Sequence, residues 1–131
     1  MRIIGEDLDV EALLQMKLFE PSSIFRRGEP RRRSQPDGER QTNSGICVTV
    51  SEAEWSDLPR QVEDAMQFLA KHETALRRAA RLPGLSWFVL DFPSELRIGS
   101  DDVVVQTDCF PAPLLRAAGE LGLGMELTTY G

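Results

Sequence analysis

The sequence predicts an α+β fold: a mainly antiparallel sheet of about five or six strands with two or three helices packed against it. Period-two runs and period-3.6 stripes alternate along the chain, and pairs of strand-like runs follow one another with only loops between. The expected order is β-α-β-β-α-β-β-α-β, in a single domain spanning residues 1–131 without internal repeats.

Ile3 and Ile4 start a short strand that Gly5 ends. Asp7 or Asp9 then offers a carboxylate N-cap for a helix whose stripe is Val10, Leu13, Leu14 and the stem of Lys17, stopped by Pro21. Ile24 and Phe25 can pair as a second strand before Gly28. Residues 28–45 hold three Gly and two Pro with almost no apolar side chains, and read as a long, polar, basic, exposed loop. Ile46-Cys47-Val48-Thr49-Val50 alternates and is β-branched, so it reads as a strand. Ser56 or Asp57 caps the longest helix, with Pro59 in its first turn, where a missing N–H costs little. Its stripe is Leu58, Val62, Ala65, Met66, Leu69, His72, Leu76, Ala79 and Ala80. At roughly 38 Å this helix either crosses the whole domain or bends near Lys71–Glu73. Leu85 to Phe92 reads as a central strand buried on both faces, and Val103 to Phe110 as the next strand. Pro111 opens a last helix over Ala112 to Leu121, closed by Gly122, and Met125 to Tyr130 alternates as a final strand. The expected core is Ile46, Val48, Val50, Val62, Leu69, Leu76, Phe88, Leu90, Val105, Leu115, Leu121 and Leu127.

A chain of 131 residues, 41% hydrophobic and 27% charged, fits one folded domain and neither a disordered nor a membrane class. Apolar runs such as Trp87 to Leu90 fall far short of the roughly 20 residues of a membrane helix. Met1 to Glu6 turns acidic at once and has no apolar stretch of the secretory kind, so a cytoplasmic location with reduced thiols is expected. Cys47 and Cys109 are too few and too far apart for a disulfide framework or a cysteine zinc site.

The strongest asymmetry is electrostatic. Six of the fifteen Lys and Arg residues lie between Arg26 and Arg40, a segment of net charge +3 in a chain of net charge −6. Arg26, Arg27, Arg31, Arg32 and Arg33 are therefore the binding candidates, since guanidinium forks take phosphate or carboxylate bidentately. The same segment also reads as a solvated loop that keeps an edge strand from aggregating. The acidity of the rest of the chain argues against broad nucleic-acid affinity.

Other chemistry is sparse. His72, the single histidine, lies on an apolar stripe and reads as a hydrogen-bonded core or boundary residue. Both cysteines sit on predicted strand faces without an activating neighbour and read as buried, inert thiols. Asp91, Glu95, Asp101, Asp102 and Asp108 surround one predicted hairpin without calcium-loop spacing. Asp91, inside an aromatic run, needs a partner once ionised, and an arginine from residues 26–33 is the expected one. Gly119, Gly122 and Gly124 surround a helix C-terminus, so they make no phosphate-cradling motif.

Gly5-Glu6-Asp7-Leu8-Asp9 leading into the first helix, Phe25-Arg26-Arg27-Gly28-Glu29-Pro30, and the closing stretch from Leu121-Gly122 to Tyr130 resemble a family of small bacterial proteins. That family is a domain of unknown function with an R-K/R-G-D/E-P turn after its first helix, and some such proteins resemble immunity proteins of toxin systems. The resemblance implies a structural role for Arg26 to Pro30 and carries no catalytic residue.

These readings converge on a non-enzymatic, bacterial, immunity-like or regulatory protein that binds another protein, as monomer or homodimer, with no cofactor, metal or membrane. An anion- or nucleic-acid-binding module using the Arg26–Arg40 loop is the first alternative. A carboxylate-based hydrolase on Asp91, Asp101 and Asp108 is the second. An acidic body seeks cationic partners, whereas the loop seeks anionic ones, so the sign of the partner separates the first two.

Overall fold

The computed structural model describes residues 1–98 and 105–131. In order the elements are β1 (Arg2–Gly5), α1 (Val10–Gln15), β2 (Ser23–Phe25), β3 (Ser44–Cys47), α2 (Leu58–Lys71), α3 (Glu73–Ala79), β4 (Trp87–Glu95), α4 (Ala112–Glu120) and β5 (Gly124–Tyr130). The strands form one mixed sheet in the order β2-β3-β1-β4-β5. Three of the four pairings are antiparallel, and β4 with β5 is parallel. Parallel neighbours need a crossover, which α4 supplies. The fold is α+β, as the alternating periods predict. No helix among the described residues is long and apolar enough to cross a membrane.

Local signals set the helix ends. Asp9 caps α1 by accepting from Ala12 N at 2.9 Å, and Asp57 caps α2 by accepting from Arg60 N at 3.1 Å. The α1 helix ends sooner than its stripe suggests, because Lys17 adopts a left-handed φ of 50°. The long stripe of the sequence divides at His72 (φ −108°, ψ 18°) into α2 and α3. The break lies within the Lys71–Glu73 window in which a bend is expected.

The largest departure concerns the strand expected over Val103 to Phe110. Residues 103 and 104 lie outside the described residues, and 105–110 form no strand. The seven-residue parallel ladder from Val89 to Glu95 is made with β5, which takes one edge of β4 that a hairpin partner would use, and β1 takes the other only over Trp87–Val89. Among the described residues the order is β-α-β-β-α-α-β-α-β.

One buried cluster joins Ile3, Ile46, Phe88, Leu90 and Phe92 of the sheet to Leu13, Leu69, Leu76, Leu114 and Ala118 of the helices. Of the expected core, Val105 (72% exposed), Leu115 (49%) and Leu127 (40%) are not in it. Val105 belongs to the missing strand. Helix α4 turns Leu114 and Ala118 inward, which leaves Leu115 on the outer side, and Leu127 sits on the edge strand β5.

Residues of all four described helices join that one cluster with alternate strand positions, so among the described residues the helices share one side of the sheet. Register places Phe25, Gly45, Ile4 and Trp87 in one row across four strands on the opposite face, with Ser23, Cys47, Arg2, Val89 and Gly124 in the next. Ile4, Phe25, Trp87 and Val89 all lie outside the core cluster. The strand expected to be buried on both faces is therefore covered by helices on one side only, and its other side runs from the half-exposed Trp87 to the buried Val89.

Candidate functional site

The arginine segment leaves β2, an edge strand, and returns as β3. Its first turn explains the Arg-Arg-Gly-Glu-Pro signature. Glu29 N donates to Arg26 O at 3.1 Å, and Gly28 takes a left-handed φ of 85°, the value a type II turn requires at its third residue. Beyond the turn the segment is cross-braced rather than loose. Gly28 N donates to Gln41 O, Gln41 N to Glu29 O and Arg31 N to Glu39 O, all between 2.8 and 2.9 Å, and Arg40 donates to Gly28 O at 3.2 Å.

The five candidate arginines separate into two groups. Arg26 pairs with Glu11 at 2.5 Å and faces Glu29 at 4.0 Å. The hydrogen bond that Arg26 donates to Glu11, and then the charge of Glu11, raise the pKa of Arg26 above its ordinary value. Arg27 meets Glu6 at 3.0 Å and Asp7 at 3.5 Å, and Arg31 meets Glu39 at 3.0 Å. Arg32 and Arg33 form no ion pair among the described residues. Alongside β2 the segment frames a groove of about 690 Å³, lined in part by Ile24, Phe25, Arg26, Pro30, Arg31 and Arg33. Phe25 also belongs to the apolar row of the sheet face opposite the helices, so groove and face adjoin.

Asp91 has a partner, but not from residues 26–33. Arg2, its neighbour on the face opposite the helices, lies 3.5 Å from Asp91 and also pairs with Glu126, while Thr128 Oγ1 donates to Asp91 at 2.6 Å. Register explains the correction: Arg2 stands opposite Val89 on β4, and Glu126 opposite Asp91 on β5. Asp108 belongs to a different set, accepting from Arg97 and from Gln106 at 2.8 Å each. Asp101 and Asp102 lie outside the described residues. Among the described residues no group of three or more His, Cys, Asp or Glu is arranged to hold a metal ion.

The thiols differ from expectation. Cys47 is half-buried at the end of β3, but Cys109 is exposed, because residues 105–110 form no strand to bury it. His72 sits at the α2/α3 joint, 4.4 Å from the Phe68 ring and 6.0 Å from Phe19, and packs through these rings instead of a side-chain hydrogen bond. Burial, and then the charge of Lys71, lower its pKa below the ordinary 6.5. Folding therefore favours neutral imidazole. That contribution is fully present above pH 6.5 and is lost as the pH falls through the folded value. Wild type should lose more stability than His72→Phe between pH 7.5 and 5.5, read by urea unfolding. Equal losses would place the imidazole in bulk solvent.

The sequence reading overlooked Arg2, Trp87 and Gln61. Alternation along β4 is the signal for Trp87, which shares the period of Val89 and Asp91 and not that of Phe88 and Leu90. Comparison with protein families, with curated proteins and with solved structures found no match.

Proposed function

We propose that this chain is a non-enzymatic binding protein whose partner is another protein, engaged through the arginine groove beside β2 and the adjoining apolar row. The observation that carries this reading is the pairing of Arg26, Arg27 and Arg31 with carboxylates, which makes the arginine segment around the groove a surface of mixed charge. Phosphate backbones are held by fields of uncompensated positive charge, and their affinity scales with the number of phosphates neutralised. Protein surfaces instead suit a mixed polar rim beside aromatic and arginine anchors. Phe25 and Trp87 supply aromatic anchors, and Arg32 and Arg33 supply charge that is not already compensated.

An immunity-type or regulatory role is the more specific form of this reading and rests on the resemblance of the Arg26–Pro30 turn. Arg32 and Arg33, taken alone, favour the second reading, an anion-binding module.

The test pairs capture with stability. An Arg31, Arg32, Arg33→Ala variant should keep its melting temperature, since the exposed Arg31–Glu39 pair contributes at most about 1 kcal/mol. Compared with wild type as bait in native lysate, it and Trp87→Ala should each lose the same protein. Retention of nucleic acid by wild type at physiological salt, with no protein retained, would replace this reading by the second. A large drop in melting temperature would make the arginines structural.

A further inference from the structure

We propose that the cleft between α2 and β4 is a binding site for a small neutral ring that carries an N–H or O–H donor, of the phenol or indole kind. The cleft encloses about 190 Å³, and its apolar wall includes Val48, Val50, Ala65, Leu90 and Phe92. The half-exposed Trp55 also lines it, held in place by stacking on Tyr130 at 4.6 Å. Cavities of roughly 150 Å³ with aliphatic and aromatic walls hold benzene, so one ring fits here. The apolar wall disfavours a charged ligand.

Gln61 decides which ring. It is 3% exposed and lines the cleft, and its Nε2 donates to Glu54 O at 3.1 Å and to Pro93 O at 3.0 Å. Two carbonyl acceptors fix the orientation of the amide, because a flipped amide would set oxygen against oxygen. Oε1 is the end left over, and among the described residues it accepts no hydrogen bond. It is not sealed away either, since Arg2 Nε is the one described side-chain atom both sealed and unpartnered.

The other buried or half-buried polar groups of the cleft are committed. The Met1 ammonium donates to Val48 O at 2.8 Å, Ser51 donates to Asp64 at 2.7 Å, and Asp91 is held by Thr128 and Arg2. A buried glutamine that lines the cleft and whose acceptor has no partner among the described residues favours a ligand that brings the missing donor. This site does not depend on the protein-binding reading.

The experiment is a titration of the full chain with phenol, indole and toluene, observed on the methyl resonances of Val48, Val50, Ala65 and Leu90. Phenol and indole should shift these methyls saturably, and toluene, which has no donor, should bind about tenfold more weakly, the worth of one hydrogen bond. Ala65→Leu, which fills the cleft from α2, should abolish the shifts. If that variant does not fold, Ala53→Leu at the half-buried rim should do the same. Toluene binding as tightly as phenol would overturn the proposal, as would shifts that do not saturate or that map outside the cleft.

Discussion

Gly45→Ala should be among the most destabilising single changes in this chain, costing at least about 3 kcal/mol, the upper end of the overpacking range. Gly45 lies in β3 between β1 and β2, and a Cβ there would stand 2.3 Å from Ile3 O, 3.0 Å from Ile4 Cα and 3.0 Å from Phe25 Cζ. Two of those atoms are backbone of the neighbouring strand, so relief requires parting β1 from β3. Small domains have only about 5–15 kcal/mol in total, so a large share of the stability should go. Gly119→Ala is the control. Beyond its chain neighbours and the backbone of its own helix, no atom lies within 4 Å of a Cβ at that position in α4, and the change should be neutral or stabilising by up to about 1 kcal/mol. Thermal unfolding followed by circular dichroism reads both. A Gly45→Ala chain that melts with the wild type would show the register of β1 on β3 to be wrong.

Leu69→Ala should cost about 2–5 kcal/mol, because Leu69 is 2% exposed in the last turn of α2 and belongs to the central cluster. Truncation removes the transfer energy of the lost carbons and leaves a cavity that the surrounding strands and helices cannot fully close. Leu115→Ala, the same chemical change at a residue 49% exposed, should stay within about 0.5 kcal/mol. Urea unfolding measures the pair. A Leu69 cost no greater than that of Leu115 would mean that α2 presents a different side to the sheet.

That contrast also marks what the sequence makes legible. The α2/α3 stripe reads correctly from periodicity because an amphipathic helix carries its inward direction within itself, and Leu58, Ala65, Leu69, Leu76 and Ala79 are all buried. Leu115 reads incorrectly because α4 is short, and apolar side chains stand on more than one of its sides. Val105 reads incorrectly for a non-local reason. Alternation marks a segment able to form a strand, but which segment pairs with β4 is settled by distant partners, and β5 takes the ladder from Val89 to Glu95.

The candidate site divides the same way. The arginine segment is visible in composition, and its glycine turn in a short motif. Its pairing with Glu6, Asp7 and Glu11 is not, because those carboxylates belong to the chain around α1. The partner of Asp91 could not be read either: Arg2 reaches it only through the register of three strands. Gln61 looks like an ordinary polar residue of a helix until the carbonyls of Glu54 and Pro93 close on its amide.

The placement of β1 between β3 and β4 has a consequence for the order of events during synthesis. Arg2 pairs with Cys47 on one side and Val89 on the other, so β1 is made long before either of its neighbours. While β4 is still being made, β1 has only β3 to pair with, and its other edge stays open. Contacts between such distant residues bear a large loop-closure cost and slow the search for the native arrangement. The five-stranded sheet therefore cannot be completed until β4 is made and β5 joins it through α4, in the final third of the chain.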